Sequence, residues 1–151
     1  MRAIYARMAD TRFPTALQIV MTAAINERQG VRTTSSTLAD SLETNSSFIR
    51  KTLSTMAKAG IIAASEGAQG GIRLARPPKE ITLQMVRDAT TPDAKSWAPR
   101  PEGQAACLVT RNIGGLNDML CSKADNAVSG VLSSMTIEDC LTELQRLEAS
   151  R

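Results

Sequence analysis

The sequence predicts a mainly helical chain with one small β-hairpin and a long helix near its C-terminus. Three observations predict this fold class. Apolar residues recur at helical spacing over 13–27 and 46–58, a glycine-rich loop separates two short apolar runs over 61–75, and a regular apolar stripe covers 108–134. At 151 residues the chain is long enough for one compact domain and an appendage.

The N-terminal part reads as three helices. The first is predicted over 13–27 and ends at Gln29-Gly30, and the run Thr33–Ser36 supplies N-cap candidates for a short helix over 37–42. After a turn at 43–45, Asn45 or Ser46 caps a third helix that runs to Lys58. Its inward side chains are predicted to be Phe48, Ile49, Leu53, Met56 and Ala57.

A hairpin follows the third helix directly. Strands are predicted over 61–65 and 72–75, with the glycine-rich loop 66–71 between them, and Thr82 opens a further short helix to about Ala89. Two helices joined by a tight turn and followed by a small hairpin form a winged helix-turn-helix. We therefore expect this domain over 1–90.

A proline-containing stretch over 91–106 is predicted to be a linker, and 107–151 to be a helical dimerisation and sensor segment. The stripe over 108–134 predicts one helix of roughly 40 Å at 1.5 Å per residue. Thr136 and Asp139 then predict a capping box that starts a last short helix. The stripe is buried economically by the same helix of a second subunit across a two-fold axis, which predicts a homodimer. The alternative is that it folds back onto its own winged domain.

Composition excludes several classes of protein. The chain has no His, which removes the commonest general base and zinc ligand, and it has no phosphate loop, so we expect no enzyme. Its longest apolar runs are too short to span a membrane, which favours a cytoplasmic protein. Residues 1–95 hold 13 Lys and Arg against 8 Asp and Glu, whereas 96–151 hold 5 against 7. A basic front half fits nucleic acid, although an ordinary solvated surface explains it equally well.

The third helix is the candidate recognition helix. Its apolar side faces inward, and the outward residues near its start are Ser46, Ser47, Arg50, Lys51 and Ser54. Arg pairs with both acceptors of guanine in the major groove, whereas Lys mainly meets phosphate. Arg50, with Ser47 beside it, is therefore the predicted base contact. The alternative is a solvated polar face.

Two further segments are candidates for DNA contact. Gln69, Gly70 and Gly71 are predicted to form the wing tip, where glycine lets the backbone approach a phosphate or enter a minor groove, and Arg73 adds charge at the base of the wing. Ser35 and Ser36 lie at a predicted helix start, where they either cap the helix or contact phosphate.

Several segments resemble the Rrf2 family of bacterial regulators, which includes the iron–sulfur regulator IscR and the nitric-oxide sensor NsrR. The segments that carry the resemblance are 44–51, 59–62, 67–71, 74–78, 80–83, 107–113 and 134–139. The resemblance covers nearly the whole chain. It implies a dimeric repressor or activator of transcription that binds a near-palindromic double-stranded DNA site and is tuned by a cysteine-based sensor.

The cysteines depart from the family pattern of three closely spaced cluster ligands. Cys107, Cys121 and Cys140 are 14 and 19 residues apart. The first two would lie about 21 Å apart along a helix, too far to share one small cluster unless the linker folds back. We therefore expect no cofactor, and Cys107 and Cys121 are the ligands if an iron–sulfur cluster is bound.

Cys107 is the predicted redox sensor, and the sequence resembles the subgroup of the family with a single cysteine at this place. A helix N-terminus and nearby Arg111 both stabilise a thiolate there. Cys121, near the middle of the long helix, is a weaker candidate that an antiparallel dimer could bring close to its twin. Cys140 alternates with apolar residues and is predicted to be core; for Cys107 the alternative is also a small buried hydrophobe.

The predicted protein is a homodimeric DNA-binding repressor that responds to oxidants or electrophiles through a cysteine. Two alternatives stay open at this point. One is a regulator that senses through an iron–sulfur cluster. The other is a winged-helix protein-interaction module that does not bind DNA, which the absence of a steep salt dependence of duplex binding would indicate.

Overall fold

The computed structural model of the chain describes residues 10–65, 67, 70–98, 103 and 107–151. Within these residues it contains, in chain order, α1 (Arg12–Arg28), α2 (Ser35–Ser41), α3 (Ser46–Lys58), β1 (Ile62–Ser65), β2 (Gly71–Leu74), a 3-10 turn (Pro78–Glu80), α4 (Leu83–Thr90), α5 (Leu108–Ser134) and α6 (Ile137–Ala149). The predicted fold class is confirmed. None of the described helices is both long enough and apolar enough to cross a membrane.

Side-chain caps fix the starts of the helix pair α2 and α3. The Thr34 hydroxyl accepts from the Thr37 N–H at 3.1 Å, and the Thr37 hydroxyl accepts from the Thr34 N–H at 3.0 Å. Helix α2 therefore begins two residues earlier than predicted, and Ser35 lies in its first turn instead of capping it. Asn45, one of the two predicted caps of α3, accepts from the Ser47 N–H at 2.7 Å.

The C-terminus of α3 is held by a residue beyond the hairpin. Gly60 has a φ of 67°, in the left-handed region, and the Ile61 N–H donates to the Met56 carbonyl at 3.0 Å, which is a glycine-based helix end. The Arg76 Nε donates to the Gly60 carbonyl at 3.1 Å. The orientation of α3 therefore depends on a contact that crosses 16 residues of sequence.

The hairpin is antiparallel, with Ile62 opposite Leu74 and Ser65 opposite Gly71. A third segment extends it, because the Ile72 N–H donates to the Thr33 carbonyl at 2.8 Å. The Asn26 amide in turn donates to the Thr33 hydroxyl at 2.9 Å. The wing is thereby tied to α1.

One apolar core joins both ends of the described chain. Ile19, Leu38, Ile49 and Met56 are fully buried in it, and so is Ile137 of the C-terminal helix α6. The starts of α4 and α6 also pair with each other. The Ile137 N–H donates to the Ile81 carbonyl at 2.9 Å, and the Leu83 N–H donates to the Met135 carbonyl at 3.0 Å. Helix α6 thus packs with the winged domain.

Helix α5 begins and ends where the stripe predicts, but it contributes little to this core. Among its residues only Cys121 is buried. Large apolar side chains of the stripe stay exposed: Val109, Leu116, Leu120 and Val131. The described part of the chain therefore leaves this stripe uncovered by its own winged domain.

Candidate nucleic-acid interface and cysteine sites

The outward face of α3 carries the predicted polar residues. All five are exposed: Ser46, Ser47, Arg50, Lys51 and Ser54. Ile49, Leu53 and Met56 on the opposite side are buried. The prediction that Ala57 points inward is wrong, because at 100° per residue it lies within about 20° of Arg50 on the outward face.

A groove of about 420 Å³ separates α3 from the wing. It brings together five of the predicted residues: Ser35, Arg50, Ser54, Gly70 and Gly71. Arg32, which no sequence pattern marks, lines the same groove, and its Nη2 donates to the Gly67 carbonyl of the wing loop at 3.4 Å. Only the tertiary pairing of Thr33 with Ile72 places Arg32 there.

The two glycines predicted for the wing tip, Gly70 and Gly71, lie where the wing loop joins β2. Gly70 is buried, and Gly71 is the first residue of β2. A Cβ on Gly71 would lie 3.0 Å from the Thr33 carbonyl oxygen, so the close approach of residues 32–33 requires glycine here. The predicted tip residue Gln69 lies outside the described residues.

The other predicted residues lie apart from this groove. Arg73 is exposed on β2 and lines a smaller cavity of about 180 Å³ together with Glu27. Ser36 is exposed in the first turn of α2. Lys51 lines a groove of about 290 Å³ on the far flank of α3, where Arg12 of α1 is its basic neighbour.

Cys107 is exposed and occupies the N-cap position of α5. The pKa of its thiol is lowered, first by the Thr110 backbone N–H, then by the Val109 backbone N–H and the Thr110 hydroxyl. None of these contacts is a complete capping hydrogen bond. The groups that favour the thiolate are thus those of the helix start, one of the two causes predicted, and Arg111, the other, is not among them.

Cys121 is buried beneath the part of the predicted linker that contains Ser96 and Trp97. Its Sγ lies 3.7 Å from the Trp97 carbonyl oxygen and 3.6 Å from Asp125 Oδ2. The Ser96 N–H and hydroxyl donate to Asp125 Oδ1 at 2.9 Å and 2.7 Å, which holds this segment on α5. The expected approach of Cys121 to its twin does not fit this arrangement, since the thiol is covered by its own chain.

The three thiols of one chain do not converge on a common point. Cys107 and Cys121 are 14 residues apart on one helix, about 21 Å at 1.5 Å per residue. Cys140 packs against the core, as predicted, and burial raises the pKa of its thiol. Within the described ranges no group of three or more Cys, Asp or Glu could hold a metal ion. One chain alone therefore does not fit a cluster ligated by three of its own thiolates.

Comparison with known proteins agrees with this architecture. Residues 9–143 match the Rrf2 family, described as iron-dependent transcriptional regulators. The chain is 26% identical over 137 residues to the HTH-type transcriptional regulator YwnA of Bacillus subtilis, covering 91% of this chain and 99% of YwnA. It is 36% identical over 92 residues to protein aau3 of Rhizobium meliloti, covering 61% of this chain and 58% of aau3.

Solved structures of this fold are similar over most of their length. IscR from T. potens superposes with a TM-score of 0.67 at 19% identity, covering 90% of this chain and 87% of IscR. CymR, the global cysteine regulator of B. subtilis, superposes with a TM-score of 0.64 at 20% identity, covering 89% and 96%. The family match spans most of the chain, and the chain therefore belongs to the Rrf2 family of DNA-binding transcriptional regulators.

Proposed function

We propose that the chain is a homodimeric repressor that binds a near-palindromic DNA site through α3 and the wing and responds to oxidants or electrophiles through Cys107. The observation that carries the DNA-binding part is the exposed polar face of α3 beside the wing groove. A helix of this kind fits the major groove, with its N-terminal residues directed at base edges. The protein would act in the cytoplasm, where bacterial DNA is located.

The uncovered stripe on α5 supports the homodimer. Leu116, Leu120 and Val131 keep 48%, 42% and 58% of their surface exposed in the single chain. A contiguous apolar face of this kind is characteristic of a protein interface. Two copies of α5 packed about a two-fold axis would cover it and would present two α3 helices to successive major grooves.

The exposed thiol at the start of α5 supports the sensing role. A thiolate is the reactive form of cysteine, and the lowered pKa of Cys107 increases its fraction at neutral pH. Hydrogen peroxide would transfer one oxygen to this thiolate, which is oxidised to a sulfenic acid while the peroxide is reduced to water. The added group would lie at the junction between the linker and α5, where it can change the geometry of the dimer.

DNA binding is tested with a duplex enriched from a random-sequence pool by the purified protein. We expect fluorescence anisotropy to show an affinity that falls steeply with salt concentration. Arg50→Ala should weaken binding by about 1–3 kcal/mol per half-site, because it removes a base contact, and should relax specificity at one base pair. Arg146→Ala on α6, where Arg146 pairs with Glu143, removes the same charge far from α3 and serves as the matched control.

Sensing is tested on the same duplex. Complete modification of Cys107 by hydrogen peroxide or iodoacetamide, verified by mass spectrometry, should change the dissociation constant, and Cys107→Ser should abolish the response. An unchanged affinity after complete modification of Cys107 would leave the thiol only a structural role.

The family description as iron-dependent favours one second candidate, a regulator that binds an iron–sulfur cluster. Because three thiols of one chain do not converge, such a cluster would need ligands from outside this set. Anaerobic purification followed by iron, sulfide and thiol counts decides between the two: iron and sulfide in equal, stoichiometric amounts support the cluster, and their absence supports the bare thiol.

A further inference from the structure

Two basic grooves flank the recognition helix α3, and we propose that each takes backbone phosphates of a different DNA strand. This inference rests on the proposed function and deepens it, because it assigns the phosphate-binding residues. One groove is the wing groove of about 420 Å³ that contains Arg32 and Arg50. The other, which we call the α1 groove, has a volume of about 290 Å³ and contains Arg12 and Lys51.

The helical geometry of α3 separates the two grooves. Arg50 and Lys51 are neighbours in sequence, so their side chains leave the helix about 100° apart and line opposite flanks. Ser47 and Ser54 are exposed on the face between them. Each flank therefore places a cation of another element beside a cation of α3. Arg50 remains the proposed base contact, so the phosphate contact of the wing groove is assigned to Arg32.

The dimensions of B-DNA match this arrangement. A major groove about 12 Å wide admits a helix about 10–12 Å across, so the phosphates of the two strands pass along the two flanks of that helix. When the face with Ser47 and Ser54 points at the bases, the wing groove meets one strand and the α1 groove meets the other. Arg and Lys are the residues that most often contact phosphate.

The second cation of each groove is positioned by contacts outside α3. Arg32 precedes Thr33, whose carbonyl accepts from Ile72 at 2.8 Å, and its guanidinium reaches the wing loop at Gly67. Arg12 opens α1, and its Nε donates to Asp10 Oδ1 at 2.9 Å. The Asp10 carboxylate orients Arg12 and also offsets part of its charge, so Asp10 opposes phosphate binding in the α1 groove.

The first test is the salt dependence of the dissociation constant for the enriched duplex. A phosphate contact contributes about 0.9 to the slope of log K against log salt, so a substitution in both subunits should lower it by about 1.8. We expect this loss for Arg12→Gln and Arg32→Gln, retention of the wild-type slope for Arg32→Lys, and no change for the control Arg146→Gln. Lys keeps the positive charge and a donor on a side chain of similar length, so the comparison of Arg32→Lys with Arg32→Gln tests the charge. Asp10→Asn should tighten binding.

The second test locates each contact on the duplex. Single neutral methylphosphonates weaken wild-type binding where a phosphate is contacted. Within each half-site, each Gln variant should lose sensitivity at positions on one strand only, and that strand should differ between Arg12 and Arg32. Unchanged slopes, or loss of sensitivity on the same strand of a half-site for both variants, would overturn the proposal. If the wild-type protein enriches no duplex at all, the proposed function fails instead.

Discussion

The dimer proposed above makes the stripe on α5 the most informative place for a perturbation. Leu116 keeps 48% of its surface exposed in the single chain. Complete burial of a Leu side chain stabilises by about 1.5–3 kcal/mol, so covering the remaining half contributes about 1 kcal/mol. A two-fold axis doubles this value, and Leu116→Ala should weaken the dimer by about 2 kcal/mol, or roughly 30-fold in its dissociation constant.

Sedimentation equilibrium over a range of protein concentrations measures this constant directly. Leu147→Ala is the matched control, because Leu147 has 49% of its surface exposed but lies on α6, outside the stripe. We expect the control to dimerise like the wild type, and both variants to keep the wild-type helical content by circular dichroism. An equal loss in the two variants, or no loss at Leu116, would refute the assignment of the interface to α5.

Three further predictions concern the reactivity of Cys107 and the stability of the fold. Mass spectrometry can follow the rate at which iodoacetamide alkylates Cys107 as a function of pH. This rate should reach half of its maximum at a lower pH in the folded chain than in urea, because the Thr110 N–H lowers the pKa of the thiol only in the folded state. Equal midpoints would contradict this. Gly60→Ala should lower the free energy of unfolding by about 1–2 kcal/mol and the melting temperature by about 2–8 °C, because φ is 67° and the new methyl lies 3.4 Å from Arg76 Nη2. An unchanged melting curve would show that alanine at this position is not strained. Ile137→Ala should lower the free energy of unfolding by about 2–5 kcal/mol, because Ile137 is fully buried, and unfolding in urea should remain a single transition. Two separate transitions would show that α6 folds independently of the winged domain.

The elements that the sequence predicted well are those whose signals are local. Apolar spacing placed the two ends of α5 at Leu108 and Ser134, and the pair Thr136 and Asp139 predicted the observed capping box, with a Thr136 N–H to Asp139 Oδ2 distance of 2.8 Å. The exposed face of α3 followed from the same kind of periodicity. These signals lie within a few residues of the feature they describe.

The features that the sequence did not predict depend on contacts between distant residues. Arg76 reaches Gly60 across 16 residues, and the Trp97 carbonyl reaches Cys121 across 24. Arg32 enters the wing groove only because Thr33 pairs with Ile72. No periodicity or cap motif marks such pairs, so the packing of Gly71 against Thr33, the basic flank at Arg32 and the burial of Cys121 became visible only in the folded chain.

Trp97, the single tryptophan of the chain, belongs to the segment that covers Cys121, and 42% of its surface is exposed. Indole emission depends on its surroundings, so undocking of this segment from α5 changes a signal that the protein already carries. In sequence the segment lies between the winged domain and Cys107, so in the sensing mechanism proposed above a signal from that thiol to α3 would pass along it. The tryptophan fluorescence of the unlabelled wild-type protein therefore reports this undocking. Stopped-flow measurements can compare the rate of undocking with the rate at which DNA is released.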